Sequence, residues 1–85
     1  GLAVEWGADG IRVNCIAPMA MTPAMDRAYR ENPILQERLL GRTPLGRIGD
    51  PVLDVGPAAV FLASDLAQFV TGQTLSVDGG AFLGL

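Results

Sequence analysis

The stretch Gly10-Ile11-Arg12-Val13-Asn14-Cys15-Ile16-Ala17-Pro18 decides how the chain folds. Residues 11–17 are rich in apolar and β-branched side chains, which predicts a buried strand that is broken at Pro18. Before this strand, residues 2–6 place apolar side chains at helical spacing, and Gly10 suits the left-handed cap that ends a helix. A helix, a tight glycine turn and a strand in this order form half of a right-handed crossover, which predicts a parallel sheet.

A second strand is predicted near the other end of the chain, over residues 73–78, where polar and apolar side chains alternate until Gly79-Gly80. The chain is therefore expected to be α/β, with two parallel strands and a helical insertion between them. Two strands do not make an independent sheet, so we expect the other strands to come from upstream sequence or from another chain. Residues 2–6 have no capping residue before them, and we expect the chain to begin inside a helix.

The insertion between the strands contains three helix starts. Thr22-Pro23, Asn32-Pro33 and Asp50-Pro51 each combine a capping side chain with a proline at the first helical position. They predict short helices over about 23–30 and 33–40, a loop over 41–49, and a longer, close-packed helix to about Ser64. Gly56-Pro57 should bend or restart that last helix, because a proline nitrogen cannot donate a hydrogen bond.

Composition excludes several functions. The chain has 85 residues, 49% of them hydrophobic, and its formal net charge of −3 offers no basic surface for nucleic acid or an anionic membrane. No apolar run is long enough to span a bilayer and no signal-peptide pattern is present, so we expect a cytoplasmic protein without membrane partners. Cys15 is the only cysteine and histidine is absent, which predicts neither a disulfide nor a metal site.

The segment Pro18-Met19-Ala20-Met21-Thr22 is the candidate functional segment. It follows a strand at the edge of a parallel sheet where ligands bind, and its backbone is expected to be free of the strand ladder. Thr22 stands at a helix start, where its hydroxyl could meet an anionic group or simply cap the helix, and the two roles can coexist. Met19, Met21, Met25 and Tyr29 could form the wall of an apolar substrate site or ordinary packing beneath a flap.

Other reactive side chains give weaker signals. Cys15 is expected to be a small buried hydrophobe. Asp26 and Asp54 have no obvious partner in the sequence, so paired-carboxylate chemistry has no support. Arg42 and Arg47 could hold an anion or fix the loop in which they lie.

Three segments carry a resemblance to a known family. In order and at matching spacing, these segments resemble the later part of short-chain dehydrogenases/reductases (SDRs): residues 2–6 with 10–18, residues 44–51, and residues 61–65 with 70–73 and 77–80. The resemblance implies the C-terminal part of a Rossmann-type doubly wound parallel sheet, formed by the last two strands, the last helix and a substrate flap at about 22–49. Residues 1–85 would then belong to one domain.

The resemblance also implies an NAD- or NADP-dependent oxidoreductase that interconverts a secondary alcohol and a ketone, similar to 3-oxoacyl reductases or to cyclic alcohol and steroid dehydrogenases. The loop from Pro18 would meet the nicotinamide carboxamide, which assigns Pro18, Met19, Ala20 and Thr22 to the cofactor. Met21, Met25 and Tyr29 would face an apolar or mixed small-molecule substrate. The last helix, last strand and apolar tail (Phe82, Leu83, Leu85) would form the interface of a homo-oligomer, by analogy a homotetramer.

The sequence departs from the family pattern at two places. Met19 follows Pro18 where the family has a glycine, and the threonine comes one residue early. Leu53 stands where an acidic residue is common, which would weaken a capping box. Tyr29 is the only tyrosine and the chain has no lysine, so no catalytic residue is predicted here, and the glycine-rich loop, serine and tyrosine–lysine pair are expected before Gly1. The alternative is a truncated, non-catalytic product that acts only as an interaction piece.

Overall fold

The computed structural model describes residues 1–82. The elements follow the order helix, strand, three helices and strand, with one π-helical turn and one short 3-10 helix. Their bounds are α1 Leu2–Gly7, β1 Cys15–Pro18, α2 Pro23–Glu31, α3 Pro33–Gly41, a π-helical turn Pro51–Val55, α4 Gly56–Ala63, a 3-10 helix Asp65–Ala67 and β2 Thr74–Val77. The predicted order of elements and the α/β class are confirmed.

Strands β1 and β2 pair in parallel, as predicted, with Cys15 opposite Thr74 and Pro18 opposite Val77. Strand β1 begins later than expected and includes Pro18 as its last residue. Residues 11–14 are held irregularly: the Val13 amide donates to the Thr71 hydroxyl at 3.1 Å, while the Val13 carbonyl accepts from the Gly72 amide at 2.8 Å. Because the Val13 amide bonds to a side chain rather than to the backbone of the neighbouring strand, regular strand pairing begins only at Cys15.

Arg12 and Asn14 attach this irregular segment to the second half of the chain. The Arg12 guanidinium donates to the carbonyls of Leu62 at 2.8 Å, Ser64 at 3.3 Å and Val70 at 3.3 Å. Asn14 donates to the Val70 carbonyl and accepts from the Gln73 amide, both at 3.0 Å. Because these carbonyls lie in the last turn of α4 and in the segment after it, the two side chains fix the turn that leads into β2.

The predicted helix signals are confirmed with one correction. Gly10 has φ 74°, and the Ile11 amide donates to the Trp6 carbonyl at 3.2 Å, closing the turn after α1. Thr22 caps α2 by accepting from the Met25 amide at 3.2 Å. Asn32, predicted to cap α3 in the same way, makes no side-chain cap. Its backbone amide instead closes α2 on the Ala28 carbonyl, so this residue serves as the corner between two helices.

The predicted long helix after Asp50 consists of two parts. Asp50 accepts from the Val52 and Leu53 amides, both at 2.8 Å, and thereby caps a π-helical turn. The Gly56 amide reaches back five residues to the Pro51 carbonyl, and regular α-helix begins at Gly56. The predicted restart at Gly56-Pro57 is confirmed, because Pro57 cannot continue the bonding pattern.

Burial differs from the expectation. Among the described residues, only Met19 and Ala67 are buried apolar residues, and no residue of α4 is buried. In β1, Cys15, Ala17 and Pro18 are exposed, so the predictions of a buried strand and a buried Cys15 are wrong for this chain. The physical reason is that two strands with these helices leave both sheet faces incompletely covered. Within residues 1–82, no helix has the length and apolarity needed to cross a bilayer.

Candidate functional site

The segment Pro18–Thr22 is held on two sides by backbone hydrogen bonds. The Met19 amide donates to the Val77 carbonyl at 2.9 Å. On the other side, the Gly49 amide donates to the Met19 carbonyl at 3.2 Å, and the Met21 amide donates to the Gly49 carbonyl at 2.8 Å. The expectation that this backbone is free of pairing is therefore wrong for Met19 and Met21. The bridge opposite Gly49 extends the sheet beyond β1.

In Ala20, the backbone amide and the backbone carbonyl both stay available. It lies opposite Gly49 in the bridge, so its own amide and carbonyl point away from the bridging bonds. Neither group forms a hydrogen bond within residues 1–82. A donor and an acceptor on one residue are therefore available at the edge of the sheet.

Gly49, which the sequence reasoning did not single out, permits this arrangement. A β-carbon at Gly49 would lie 2.7 Å from the Met19 carbonyl oxygen, closer than non-bonded atoms approach. Only glycine allows the loop backbone to approach β1 this closely. The signal in the sequence was the glycine of Ile48-Gly49-Asp50, which is recognisable only once the loop is known to pair with residue 20.

A groove of about 370 Å³ runs along the candidate segment. It brings together five residues proposed from sequence: Pro18, Met19, Ala20, Thr22 and Met25. Met21 and Tyr29, which were proposed for the substrate, are not among its lining residues. The groove also contains three residues that the sequence reasoning did not assign to it: Pro51, Val55 and Phe82. The last of these was expected in an oligomer interface; Leu83 and Leu85 of the same tail lie outside the described residues.

Thr22 both caps a helix and borders the groove. Its hydroxyl oxygen accepts from the Met25 amide, and its carbonyl accepts from the Asp26 amide at 2.9 Å. A threonine hydroxyl carries one proton as well as its acceptor lone pairs, so capping leaves that proton available to a ligand. The two roles considered for Thr22 are thus compatible.

An ion pair fastens the loop that contains Gly49. The two terminal nitrogens of Arg47 donate to the two carboxylate oxygens of Asp54 at 2.6 and 2.8 Å. The same carboxylate accepts from the Asp50 backbone amide at 2.6 Å. Hydrogen bonds from Arg47 first, and then from the Asp50 amide, hold the pKa of the Asp54 carboxyl well below its usual 3.8. The pair likewise raises the pKa of the Arg47 guanidinium.

These contacts correct the expectation that Asp26 and Asp54 have no partner, and they support one of the two roles considered for Arg47. Asp54 and Asp26 do have partners, since Asp26 pairs with Arg30 at 3.1 Å one helical turn away. Of the two loop arginines, Arg47 fixes the loop, and the Arg42 guanidinium lies 5.2 Å from the centre of the Phe82 ring. The sequence interpretation had left loop fixing open as one of two roles.

Asp78 is the one buried carboxylate among residues 1–82, and its oxygens serve the backbone. They accept from the Gly80 amide at 3.0 Å and the Phe82 amide at 3.2 Å, in a turn where Gly79 and Gly80 have positive φ. This carboxylate orders the turn after β2 and places Phe82 beside the groove. In the part of the chain that the structure describes, no three metal-ligating side chains come together.

Comparison with known proteins gives consistent matches. A family model described as enoyl-(acyl carrier protein) reductase matches residues 1–81. A tropinone reductase homologue from Arabidopsis thaliana is 47% identical over 79 residues, which cover 93% of this chain and 29% of that protein. A galactitol 2-dehydrogenase (L-tagatose-forming) from Cereibacter sphaeroides is 48% identical over 79 residues, covering 93% of this chain and 31% of the relative.

Solved structures share the fold. An oxidoreductase of the short-chain dehydrogenase/reductase family from Burkholderia thailandensis is 44% identical with a TM-score of 0.87, covering 98% of this chain and 33% of its own. A putative 2-deoxy-D-gluconate 3-dehydrogenase from Agrobacterium tumefaciens with bound NADP is 44% identical with a TM-score of 0.84, and the match covers 94% and 32% of the two chains. A 7α-hydroxysteroid dehydrogenase complexed with NADH and a 7-oxo bile acid is 41% identical with a TM-score of 0.84, and the match covers 93% and 30%. The chain thus spans about a third or less of the proteins it matches.

Proposed function

Since the chain belongs to the short-chain dehydrogenase/reductase family, we propose that it forms the C-terminal portion of an NAD(P)-dependent oxidoreductase that interconverts a secondary alcohol and a ketone. Residues 1–85 would be one part of a single Rossmann-type domain, with the flap at about 22–49 over the substrate. The groove beside Ala20 and Thr22 is the observation that carries this proposal.

The residues of this groove fit a nicotinamide carboxamide. That group offers N–H donors and a carbonyl acceptor, and Ala20 presents an unpaired backbone carbonyl and amide. The Thr22 hydroxyl adds a second donor while its oxygen caps α2. Pro18 and the buried Met19 supply an apolar wall, as most cofactor sites do. The glycine that the family has after Pro18 is absent here, and Gly49 instead brings a second backbone close to the Met19 carbonyl on the side of the loop.

In this function the chain's own residues bind and orient rather than react. Ala20 and Thr22 would hold the carboxamide in one orientation, and the apolar side chains of Pro18, Met19 and Met25 would keep water away from it. When bound, the nicotinamide supplies or accepts the hydride. The proton would be exchanged by residues outside this chain, since it contains one tyrosine and no lysine. We place the family's serine and tyrosine–lysine pair, with the glycine-rich loop, before Gly1.

Met25 supports an apolar or mixed substrate. It lies on α2 and is the one flap methionine that lines the groove. Among the relatives are proteins named for a cyclic amino ketone, a sugar alcohol and steroids. A cyclic alcohol or steroid substrate therefore agrees with more of them than a 3-oxoacyl group does.

A second candidate reaction is reduction of a conjugated carbon–carbon double bond. It rests on the description of the matching family model as an enoyl-(acyl carrier protein) reductase. Both reactions would use the same cofactor groove. A comparison of the turnover of a ketone with the turnover of an α,β-unsaturated thioester distinguishes them. The non-catalytic alternative, an interaction piece alone, predicts no cofactor binding at all.

We also propose an oligomeric state and a cellular location for the protein. We place the interface of a homo-oligomer, by family analogy a tetramer, on α4, β2 and the C-terminal tail. Val60 and Phe61 on α4 are 69% and 41% exposed, and Leu75 on β2 is 37% exposed, so these elements carry apolar surface that the rest of the domain or a second subunit can cover. We propose a cytoplasmic location, with no nucleic-acid or membrane partner.

The experiment that tests the groove compares Thr22→Ser with Thr22→Asp in the protein at its native length. Serine keeps the cap and the hydroxyl proton, whereas aspartate caps a helix at least as well but has no proton to donate when ionised. We expect NADH or NADPH, followed by nicotinamide fluorescence, to bind the serine variant normally and the aspartate variant about tenfold more weakly, with equal melting temperatures. Equal affinity in both variants would contradict a ligand role for Thr22, and an unaltered protein that binds neither cofactor would contradict the proposed function.

A further inference from the structure

The carboxylate of Asp54 joins three parts of the loop before α4. It takes a two-pronged hydrogen bond from Arg47 and a third hydrogen bond from the Asp50 amide. Asp50 in turn caps the next turn with its own side chain. The Arg47 side chain is 59% exposed and the Asp54 side chain 25%, so this is a surface cluster whose geometry, rather than burial, makes it specific.

The π-helical turn explains why Asp54, and not residue 53, makes these contacts. In an α-helix, the side chain that returns to the cap amide comes from the third residue after the cap, which here is Leu53. The Val55 and Gly56 amides instead reach back five residues, to Asp50 and Pro51. The turn therefore contains one residue more than an α-helical turn. As a result, the fourth residue after the cap, rather than the third, lies close to the backbone amide of the capping residue. Asp54 thus completes a capping box that Leu53 cannot.

This cluster closes the loop that contains Gly49, the residue that pairs with the candidate cofactor segment. Arg47 and Asp50 flank Ile48-Gly49, and their shared carboxylate closes the segment between them into a short loop. The Gly49 amide donates a hydrogen bond to the Met19 carbonyl, and the Gly49 carbonyl accepts one from the Met21 amide. Ala20 lies between those two anchored residues. The position of its free amide and carbonyl thus depends on where the loop places Gly49.

We propose that Arg47 and Asp54 are positioning residues for the cofactor: by holding the loop around Gly49, they fix the backbone of Ala20 in the orientation that binds the nicotinamide. This inference rests on the proposed function.

The test measures NADH or NADPH affinity in Arg47→Gln, Asp54→Asn and the double variant of the native-length protein. We expect each single variant to weaken cofactor binding about fivefold, and the double variant to bind no worse than either single one, since the two residues act as a unit. The KM for cofactor should rise while kcat at saturating cofactor stays the same. Asp26→Asn, which removes the partner of another exposed arginine on α2, should leave cofactor affinity unchanged.

The outcomes separate this inference from the proposed function. If the unaltered protein binds neither cofactor, the proposed function fails. If it binds cofactor, but Arg47→Gln and Asp54→Asn bind it as tightly as the unaltered protein does, or the effects of the two substitutions simply add, the positioning role is wrong. A lower melting temperature with unchanged affinity also overturns it, because the cluster would then serve stability alone. Arg47→Lys, which keeps the charge but loses the planar fork, should give an intermediate affinity.

Discussion

Gly49 approaches Met19 so closely that a β-carbon on Gly49 would lie 2.7 Å from the Met19 carbonyl oxygen. Two backbone hydrogen bonds hold the segments this close: the Gly49 amide donates to the Met19 carbonyl, and the Met21 amide donates to the Gly49 carbonyl. The candidate cofactor segment is therefore shaped by a loop some thirty residues later in the chain. The close approach of Gly49 to Met19 therefore limits which substitutions the loop tolerates.

Replacement of Gly49 by alanine is expected to lower the free energy of unfolding by about 1–3 kcal/mol, because the added methyl group must displace backbone. Gly41→Ala is the matched control, since a β-carbon at Gly41 would meet nothing within 4 Å. Thermal unfolding of the native-length protein measures both. Equal melting temperatures for the two variants would show that the loop does not pack against Met19 as described.

Arg12→Lys should destabilise the protein by about 1 kcal/mol, because a lysine ammonium cannot span carbonyls that the planar guanidinium reaches together. In the structure those are the carbonyls of Leu62, Ser64 and Val70. Arg30→Lys, on an exposed ion pair with Asp26, is the control and should change stability little. Urea unfolding of both variants gives the comparison, and a loss at Arg30 as large as that at Arg12 would contradict the bridging role.

The Arg47–Asp54 pair predicts a specific dependence of stability on pH. The pKa of the Asp54 carboxyl is lowered in the folded protein, so its contribution is fully present above the usual pKa of 3.8 and declines as the pH falls below that value. Asp54→Asn should therefore be less stable than the unaltered protein at pH 6, and the difference should shrink in acid. Melting temperatures from pH 6 to pH 2.5 measure it. A difference that does not change with pH would contradict the ionic contribution.

Met25 and Met21 should respond differently to truncation. Met25 lines the groove and Met21 does not. Met25→Ala is expected to lower kcat/KM for an apolar ketone about tenfold, because apolar contact with the substrate is lost, whereas Met21→Ala should change it less than about threefold. Steady-state kinetics with the best ketone found for the protein provide the measurement. A larger effect at Met21 than at Met25 would contradict the proposal that the substrate lies in this groove.

Much of the fold could be predicted from local sequence signals. The Gly10 turn, the Thr22 cap and the parallel pairing of residues 15–18 with residues 74–77 depend on neighbouring residues and on strand periodicity. The failures come from longer-range features. Asn32 has the residue type of a cap, but it ends α2 with its backbone amide and its side chain makes no cap hydrogen bond to α3. The apolar neighbours of Cys15 predict that it is buried. It is exposed here, because its burial would require strands and helices that residues 1–82 do not include.

The candidate site was only partly predictable for the same reason. Pro18, Ala20 and Thr22 could be found because they follow a strand at the ligand-binding edge of a parallel sheet. Gly49 and Asp54 could not, since no local pattern shows that the loop pairs with residue 20 or that a π-helical turn carries Asp54 to the cap. A one-residue change in helical bonding alters which side chain reaches a backbone amide, and sequence spacing assumes the α-helical pattern.

The most direct test of the central claim is a crystal structure of the native-length protein with NADH or NADPH bound. We expect the nicotinamide carboxamide to lie within hydrogen-bonding distance of the Ala20 amide and carbonyl and of the Thr22 hydroxyl, with Arg47 still paired to Asp54. A carboxamide bound away from Ala20 and Thr22, with the groove empty, would contradict it.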